Sequence, residues 1–208
     1  MAISSLSRLS VPLQGNQSAS NQGLLMPKLS YRFRVLFQNF GVSKPTTELT
    51  KQVMNAARPS PEFEAITLEV YNSKIYLAGK PKWNPIQVVV RDDALNSVSK
   101  LVGEQLQKQF DFYEQSSASS GIDYKFTTKI EILDGGNGAY DPTVLETFEV
   151  YGCYLNKAEY AGTDYGKNDP LQITLSITYD NAMQTNNSGV PNGIGTTVGR
   201  TAGTSATG

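Results

Sequence analysis

The sequence has 208 residues, 39% hydrophobic and 18% charged, and its 18 basic and 19 acidic side chains leave a formal net charge of -1, which excludes the strongly basic footprint of a nucleic-acid-binding domain. It contains no histidine and one cysteine, Cys153, so histidine triads, the usual zinc ligands and an internal disulfide are excluded together, and folding in a reducing cytoplasm is expected. No apolar run approaches the ~20 residues a membrane helix needs, and the start, MAISSLSRLSVPLQGNQSAS, lacks the apolar core of a secretory signal, so a soluble protein without membrane contact is expected.

Residues 1–25 are rich in Ser, Gln and Asn, and residues 182–208 in Gly, Thr and Asn. Both ends read as flexible in a lone subunit, an N-terminal arm and a C-terminal tail around one domain at 26–181. The domain is dominated by period-2 alternation, the signature of half-buried strands. Tyr31, Phe33, Val35 and Phe37 share one face of the first strand, with Arg32 and Arg34 opposite. Residues 46–57 (TTELTKQVMNAA) fit either helix or strand spacing and are taken as strand. Ile66, Leu68 and Val70 alternate with Thr67, Glu69 and Tyr71; after an Asn72-Ser73 turn, Ile75 and Leu77 alternate with Lys74 and Tyr76. KPKWNPIQVVVRDD supplies the next strand and ends on three charges.

Those charges have a structural reading. In ALNSVSKLVGEQLQKQFDFYEQ, Leu95, Val98, Val102, Leu106, Phe110 and Tyr113 recur every three or four residues, which predicts an amphipathic helix. Asp92 or Asp93 stands at its N-cap, accepting from free backbone N–H groups at the positive end of the helix dipole. SSASSG at 116–121 ends the helix. Strands follow at 124–132, around 145–155 and at 171–179, with the turn residues DGGNG at 134–138 between the first two.

Motifs for chemistry are weak. Asp92 and Asp93 point to opposite faces of a strand with no third carboxylate nearby in sequence, which disfavours a cation site. DGGNGAYD lacks the ligand alternation of a calcium loop, GIGTTVG at 193–199 has the wrong spacing for a dinucleotide fingerprint, and GTDYGK at 162–167 is one residue short of a phosphate loop. Cys153 has no histidine to activate it and reads as a packed side chain. Trp83, between Pro81 and Pro85, reads as a strand-end or interface anchor, with a ligand-stacking platform as the alternative. No enzyme activity, cofactor or metal is expected.

The segment ARPSPEFEAITLEVYNSKIYLAGKPKWNPIQVVVRDD at 57–93 resembles the tail-tube proteins of contractile-tailed bacteriophages, of the large myovirus type. KLSYRFRVLFQNFG resembles that family's first strand, and GCYLNKAEYAGTDYGKNDPLQITLSITYDNA its closing pair. The resemblance covers most of residues 28–182. It implies a mostly β fold, a flattened barrel of two packed antiparallel sheets with one flanking α-helix. It also implies homohexameric rings stacked into a hollow tube of the virion, assembled in the host cytoplasm. The implied partners are the subunit itself, the tail sheath protein, baseplate and tail-terminator proteins, and, in the lumen, a tape-measure protein and genomic DNA without specific binding. A tube-initiating baseplate protein and the tube of a contractile injection system are the near alternatives, and a carbohydrate-binding virion module is the alternative from another class.

Within that frame Tyr71, Asn72, Ser73, Lys74 and Trp83 are expected at subunit or ring contacts. LQITLSITY puts Leu171, Ile173, Leu175, Ile177 and Tyr179 on one face and Gln172, Thr174, Ser176 and Thr178 on the other. The second face is wet but uncharged, which suits a wall that DNA slides past. Those four, with Thr67 and Glu69, are therefore expected to face the lumen.

Overall fold

The computed structural model describes residues 27–43, 46–135, 142–186 and 188–196, in two units, Met1–Arg32 and Phe33–Gly208. In the first, the Arg32 N–H donates to the Leu29 carbonyl at 3.2 Å and the Arg32 guanidinium lies 5.4 Å from the centre of the Tyr31 ring. This turn, not a strand, occupies Tyr31 and Arg32, so the first strand starts two residues later than its alternation predicted.

The second unit runs β1 (Phe33–Gln38), α1 (Thr47–Lys51), β2 (Val53–Ala56), β3 (Pro61–Val70), β4 (Ser73–Trp83), β5 (Ile86–Arg91), α2 (Ser97–Gln109), β6 (Phe110–Asp111), β7 (Ser116–Ser117), α3 (Gly121–Tyr124), β8 (Phe126–Leu133), β9 (Val144–Tyr160), β10 (Gln172–Thr178) and β11 (Asn181–Asn186). The main sheet is antiparallel in the order β1-β8-β9-β10-β5-β2, with β11 also on β9. The long strand β9 divides it. Residues 144–153 pair with β8 and β11, forming sheet A with β1; residues 154–160 pair with β10, forming sheet B with β5 and β2. β9 turns from one sheet into the other at Gly152, whose φ of +66° is the left-handed region that suits glycine. Beside it the chain passes from β10 to β11 through Asp180, whose N–H donates to the Tyr151 carbonyl at 3.0 Å. No hydrogen bonds join β1 to β2 among the described pairings, so the two sheets pack without closing into a barrel.

Alternation decides what lies between the sheets. Val35, Phe37, Ile130, Phe148 and Val150 of sheet A face Ile86, Val88, Val90, Ile173, Leu175 and Ile177 of sheet B, all buried. α2 covers the end of this core with Val98, Leu101 and Val102. Phe40 and Phe126 meet edge to face at 4.9 Å, a favourable aromatic geometry. Burial of this set supplies the main driving force, at ~1.5–3 kcal/mol per large side chain.

Further local assignments differ from the sequence pattern. Residues 47–51 form a helical turn, with the Thr50 N–H donating to the Thr46 carbonyl and Leu49 fully buried, before β2 begins at Val53. α2 is shorter than its apolar spacing suggested: Leu95 precedes it and Tyr113 follows it, both exposed. Asp111 Oδ1 accepts from the Tyr113 and Glu114 N–H groups, and that local turn competes with the helix. Within the expected tail at 182–208, the first residues form β11, which extends the sheet and buries Ala182. Backbone pairing with β9 and a Gln184–Glu146 side-chain hydrogen bond hold this mostly polar strand. Residues 1–25, most of the DGGNG turn and residues 197–208 lie outside the described residues.

Candidate assembly surfaces

Among the described residues β3 and β4 pair only with each other, joined by a turn at Tyr71 and Asn72. Every residue of β3 is exposed, as is every residue of β4 except Gly79 and Trp83, so this ribbon of about 30–35 Å at ~3.4 Å per residue has water on both faces. Its register sorts the chemistry. Ile66 stands opposite Leu77, Leu68 opposite Ile75 and Val70 opposite Ser73 on one face; Thr67 stands opposite Tyr76 and Glu69 opposite Lys74 on the other. The apolar side chains Ile66, Leu68, Val70, Ile75 and Leu77 are each 45–49% exposed. A two-stranded ribbon is marginal in water by itself, and a contiguous apolar face marks a contact surface.

The expected contact residues separate to the two ends of this ribbon. Tyr71 is at the tip, fully exposed at a φ of +43°, an uncommon conformation for a bulky residue. Asn72 completes the turn, Ser73 Oγ donates to the Val70 carbonyl, and Lys74 Nζ lies 2.8 Å from Glu69 Oε1. Trp83 is at the base, its ring 5.6 Å from that of Tyr179 and packed on the core of its own chain. The Asn84 N–H closes the base by donating to the Ser60 carbonyl at 3.1 Å. A bulge between Phe63 and Ala65 bends the ribbon, and a Cβ on Gly79 would stand 2.6 Å from the Glu64 carbonyl oxygen, so only glycine fits there.

Sheet B supplies a second surface. Gln172, Thr174, Ser176 and Thr178 occupy the face of β10 away from the core, all half-buried. Across the pairing, Gln172 stands beside Arg91, Thr174 between Val89 and Glu159, and Ser176 between Gln87 and Lys157. Lys157 and Glu159 form an ion pair and cancel, so the face is polar and its net charge is the positive one of Arg91. Thr67 and Glu69 are not on this sheet; they belong to the polar face of the hairpin. The sheet ends in two unlike edges, β2 on one side and residues 154–160 of β9 on the other, and unpaired edges invite another strand.

Asp92 and Asp93 differ in role. Asp93 Oδ1 accepts from the Ser97 and Val98 N–H groups at 2.7 and 3.0 Å, reaching over Asn96 to the start of α2, while Asp92 Oδ1 accepts only from the Asp93 N–H. The Val98 N–H is the main reason the Asp93 carboxyl is held below its ordinary value. A depressed folded-state value makes the contribution present above the unfolded value and lost as pH falls through the folded one. Asp93→Ala is therefore expected to lower the melting temperature by roughly 2–4 °C near neutral pH, with the difference fading in acid, and Asp92→Ala to lower it less. Thermal melts of both variants across pH 2–7 check this ordering. Cys153 is buried and its thiol is pushed up to about 11 by desolvation, which keeps it unreactive at neutral pH. Among the described residues no group of three or more carboxylate or thiol side chains gathers as a metal site.

Sequence reasoning missed the apolar face of the ribbon as a surface, since Ile66, Leu68 and Val70 read like any strand face packed on its own core. It also missed the unlike edges of sheet B, because β5 inserts between β10 and β2 in an order no local pattern reveals.

No protein-family model matches the chain, and no curated protein matches its sequence. Solved structures do. A chain of the anti-feeding prophage tube-terminating cap matches with a TM-score of 0.59 at 12% identity, over 83% of this chain and 99% of that one. A chain of the anti-feeding prophage baseplate, six-fold symmetrised, matches at 0.56 and 15%, over 78% and 98%. One from the sheath–tube complex of an extracellular contractile injection system in its extended state matches at 0.55 and 13%, over 82% and 99%. At these identities the likeness is one of fold, and it spans nearly all of each solved chain. Two antiparallel sheets sharing one long strand, with a helix on their flank, are thus the fold that this chain shares with chains of contractile-particle baseplate, cap and sheath–tube assemblies.

Proposed function

We propose that the chain is the repeating structural subunit of a contractile phage tail tube, which forms hexameric rings that stack into a conduit for DNA. The observation that carries this reading is the hairpin β3–β4, amphipathic and exposed on both faces, on a domain whose sheet B has two unlike open edges. β2 of one copy beside β9 of the next continues the antiparallel alternation of sheet B, because β9, β10, β5 and β2 already alternate in direction. A head-to-tail contact of this kind closes into a ring when its rotation allows, and rings with unlike ends stack. The hairpin then crosses to another copy and removes its apolar face from water, with Tyr71 at its tip in contact. The fold shared with chains of a baseplate, a tube-terminating cap and a sheath–tube complex supports a tube inside a sheath, with baseplate and terminator at its ends. The likeness to injection-system chains supports equally a tube that carries another cargo, and a tape-measure protein or genomic DNA is the cargo in the phage reading.

In this arrangement Gln172, Thr174, Ser176 and Thr178 line the bore, and Thr67 and Glu69 join them where the polar face of the hairpin turns inward. A wall made mostly of uncharged side chains holds phosphate weakly, since each added lysine on a nucleic-acid path releases counterions and binds the backbone. Thr174→Lys with Ser176→Lys is expected to leave tubes intact in negative-stain images and to slow DNA ejection, more at low salt than at high. Failure of those variants to assemble, or modification of the new lysines by reagents too large to enter a tube, overturns the lumen assignment. Sedimentation of the purified chain tests the wider reading: hexamers or longer particles are expected, and a sharp monomer boundary at high concentration in physiological salt refutes it.

A further inference from the structure

The open edge of β9 is occupied at one point by a side chain. Gln109, the last residue of α2, donates from Nε2 to the Leu155 carbonyl at 2.9 Å and accepts at Oε1 from the Leu155 N–H at 2.8 Å. A primary amide used in this way does what the peptide group of a neighbouring strand does, so Leu155 is capped as if already paired. Beyond it, among the described residues, no strand pairs with the edge. The Ala161 N–H donates to the Gln172 carbonyl, which by antiparallel alternation turns the backbone groups of Glu159 and Lys157 toward β10 and those of Tyr160 and Ala158 outward. On the other edge of sheet B the Gln52 carbonyl accepts from Arg91 and the Ala57 N–H donates to Gln87, so the backbone groups of Val53 and Ala56 turn outward from β2.

We propose that Gln109 is a positioning residue for assembly, which blocks the edge at Leu155 and thereby sets the register in which β2 of a second copy pairs with Ala158 and Tyr160. The inference rests on the tube reading above. A strand of four residues with a bulge carries little register information of its own, and a slip of two residues keeps every side chain on the same face. Ala56 opposite Ala158 puts Asn55 opposite Glu159, with core face against core face and polar face against polar face. The slip toward Leu155 puts Asn55 opposite Lys157 and, across the bulge that β9 makes at Asn156, Ala56 opposite Leu155, so it needs the backbone groups that Gln109 holds. With Gln109 in place that slip is closed.

Paired cysteines in the full chain read the register directly, because Cys153 is buried and does not compete. Asn55→Cys with Glu159→Cys is expected to cross-link between copies under mild oxidation, and Asn55→Cys with Lys157→Cys is expected not to. Adding Gln109→Leu, which keeps the size and removes both hydrogen bonds, turns the second pair from absent to a major product. Gln109→Asn, one methylene too short to reach Leu155, does the same and serves if the leucine variant fails to melt cooperatively. An unchanged cross-link pattern in both Gln109 variants overturns the register role while leaving the ring intact. Assemblies in which neither pair cross-links, with or without Gln109, overturn the β2–β9 contact and this inference with it.

Discussion

Leu68→Glu combined with Leu77→Lys is expected to abolish assembly while shifting the melting temperature of the subunit by no more than a few degrees. Both side chains lie on the apolar face of the β3–β4 hairpin, diagonal to one another and about half exposed, and neither belongs to the buried core of the described residues. In the free subunit the new charges meet water and attract each other across the ribbon, so little is lost. At a contact each leucine that would have been buried forfeits ~1.5–3 kcal/mol and each charge adds a desolvation cost. Together these raise the concentration needed for assembly by at least about a hundredfold. Sedimentation velocity and negative-stain imaging of the variant beside the wild type measure this. Exchanging Glu69 and Lys74 with each other keeps their ion pair on the opposite face and is expected to leave assembly within a few-fold of wild type. A Leu68/Leu77 variant that forms tubes at wild-type concentrations removes the apolar face from the contact.

The same residues show where the sequence is readable and where it stops. LQITLSIT was legible because Ile173, Leu175 and Ile177 face a core of their own chain, and one buried face sets the phase of everything on the strand. AITLEV has the same alternation, yet its apolar face meets no core among the described residues. Periodicity reports that a strand has an apolar side, not whose surface covers it, so the pattern sets Thr67 and Glu69 opposite an apolar face without showing that they lie on a hairpin apart from sheet B. The centre of α2 was equally clear, with Val98 and Val102 fully buried at helical spacing. Its ends were not, since Asp93 caps from four residues before the first helical residue, and the Asp111 turn takes over after Gln109 although Phe110 and Tyr113 keep the spacing. β11 left almost no apolar trace, and what orders it is the partner strand, a long-range fact. Gln105 and Gln109 read as polar residues on a helix flank. One is fully buried, accepting from the Gly41 N–H and donating to the Tyr124 carbonyl, and the other caps a strand edge 46 residues away. Their amides find backbone groups distant in the chain, which no local spacing encodes.

Gly152→Ala is expected to cost the subunit roughly 2–4 kcal/mol, a fall of about 5–15 °C in melting temperature, although it adds a single methyl group. Two separate penalties meet at this residue. Its φ of +66° places a Cβ against the following carbonyl, at ~1–2 kcal/mol. That Cβ would also fall on the Asp180 carboxylate, closer than any real contact of its kind, while Asp180 is engaged with Lys125 at 2.5 Å. The position matters because β9 passes from sheet A to sheet B here and the β10–β11 strand bends beside it, joined through the Asp180 N–H and the Tyr151 carbonyl. A shift at Gly152 therefore changes the angle between the face that packs the core and the edge that a neighbouring copy needs. A double-mutant cycle separates the penalties. In an Asp180→Ala background the carboxylate is gone and the Lys125 pair, half in water, contributes little, so Gly152→Ala should there cost only the ~1–2 kcal/mol of backbone strain. An equal cost in both backgrounds shows that the carboxylate does not fill that space and leaves the conformation of Gly152 as the whole effect. A Gly152→Ala subunit that melts like wild type contradicts the bend itself, and with it the division of β9 between two sheets on which the ring contact depends.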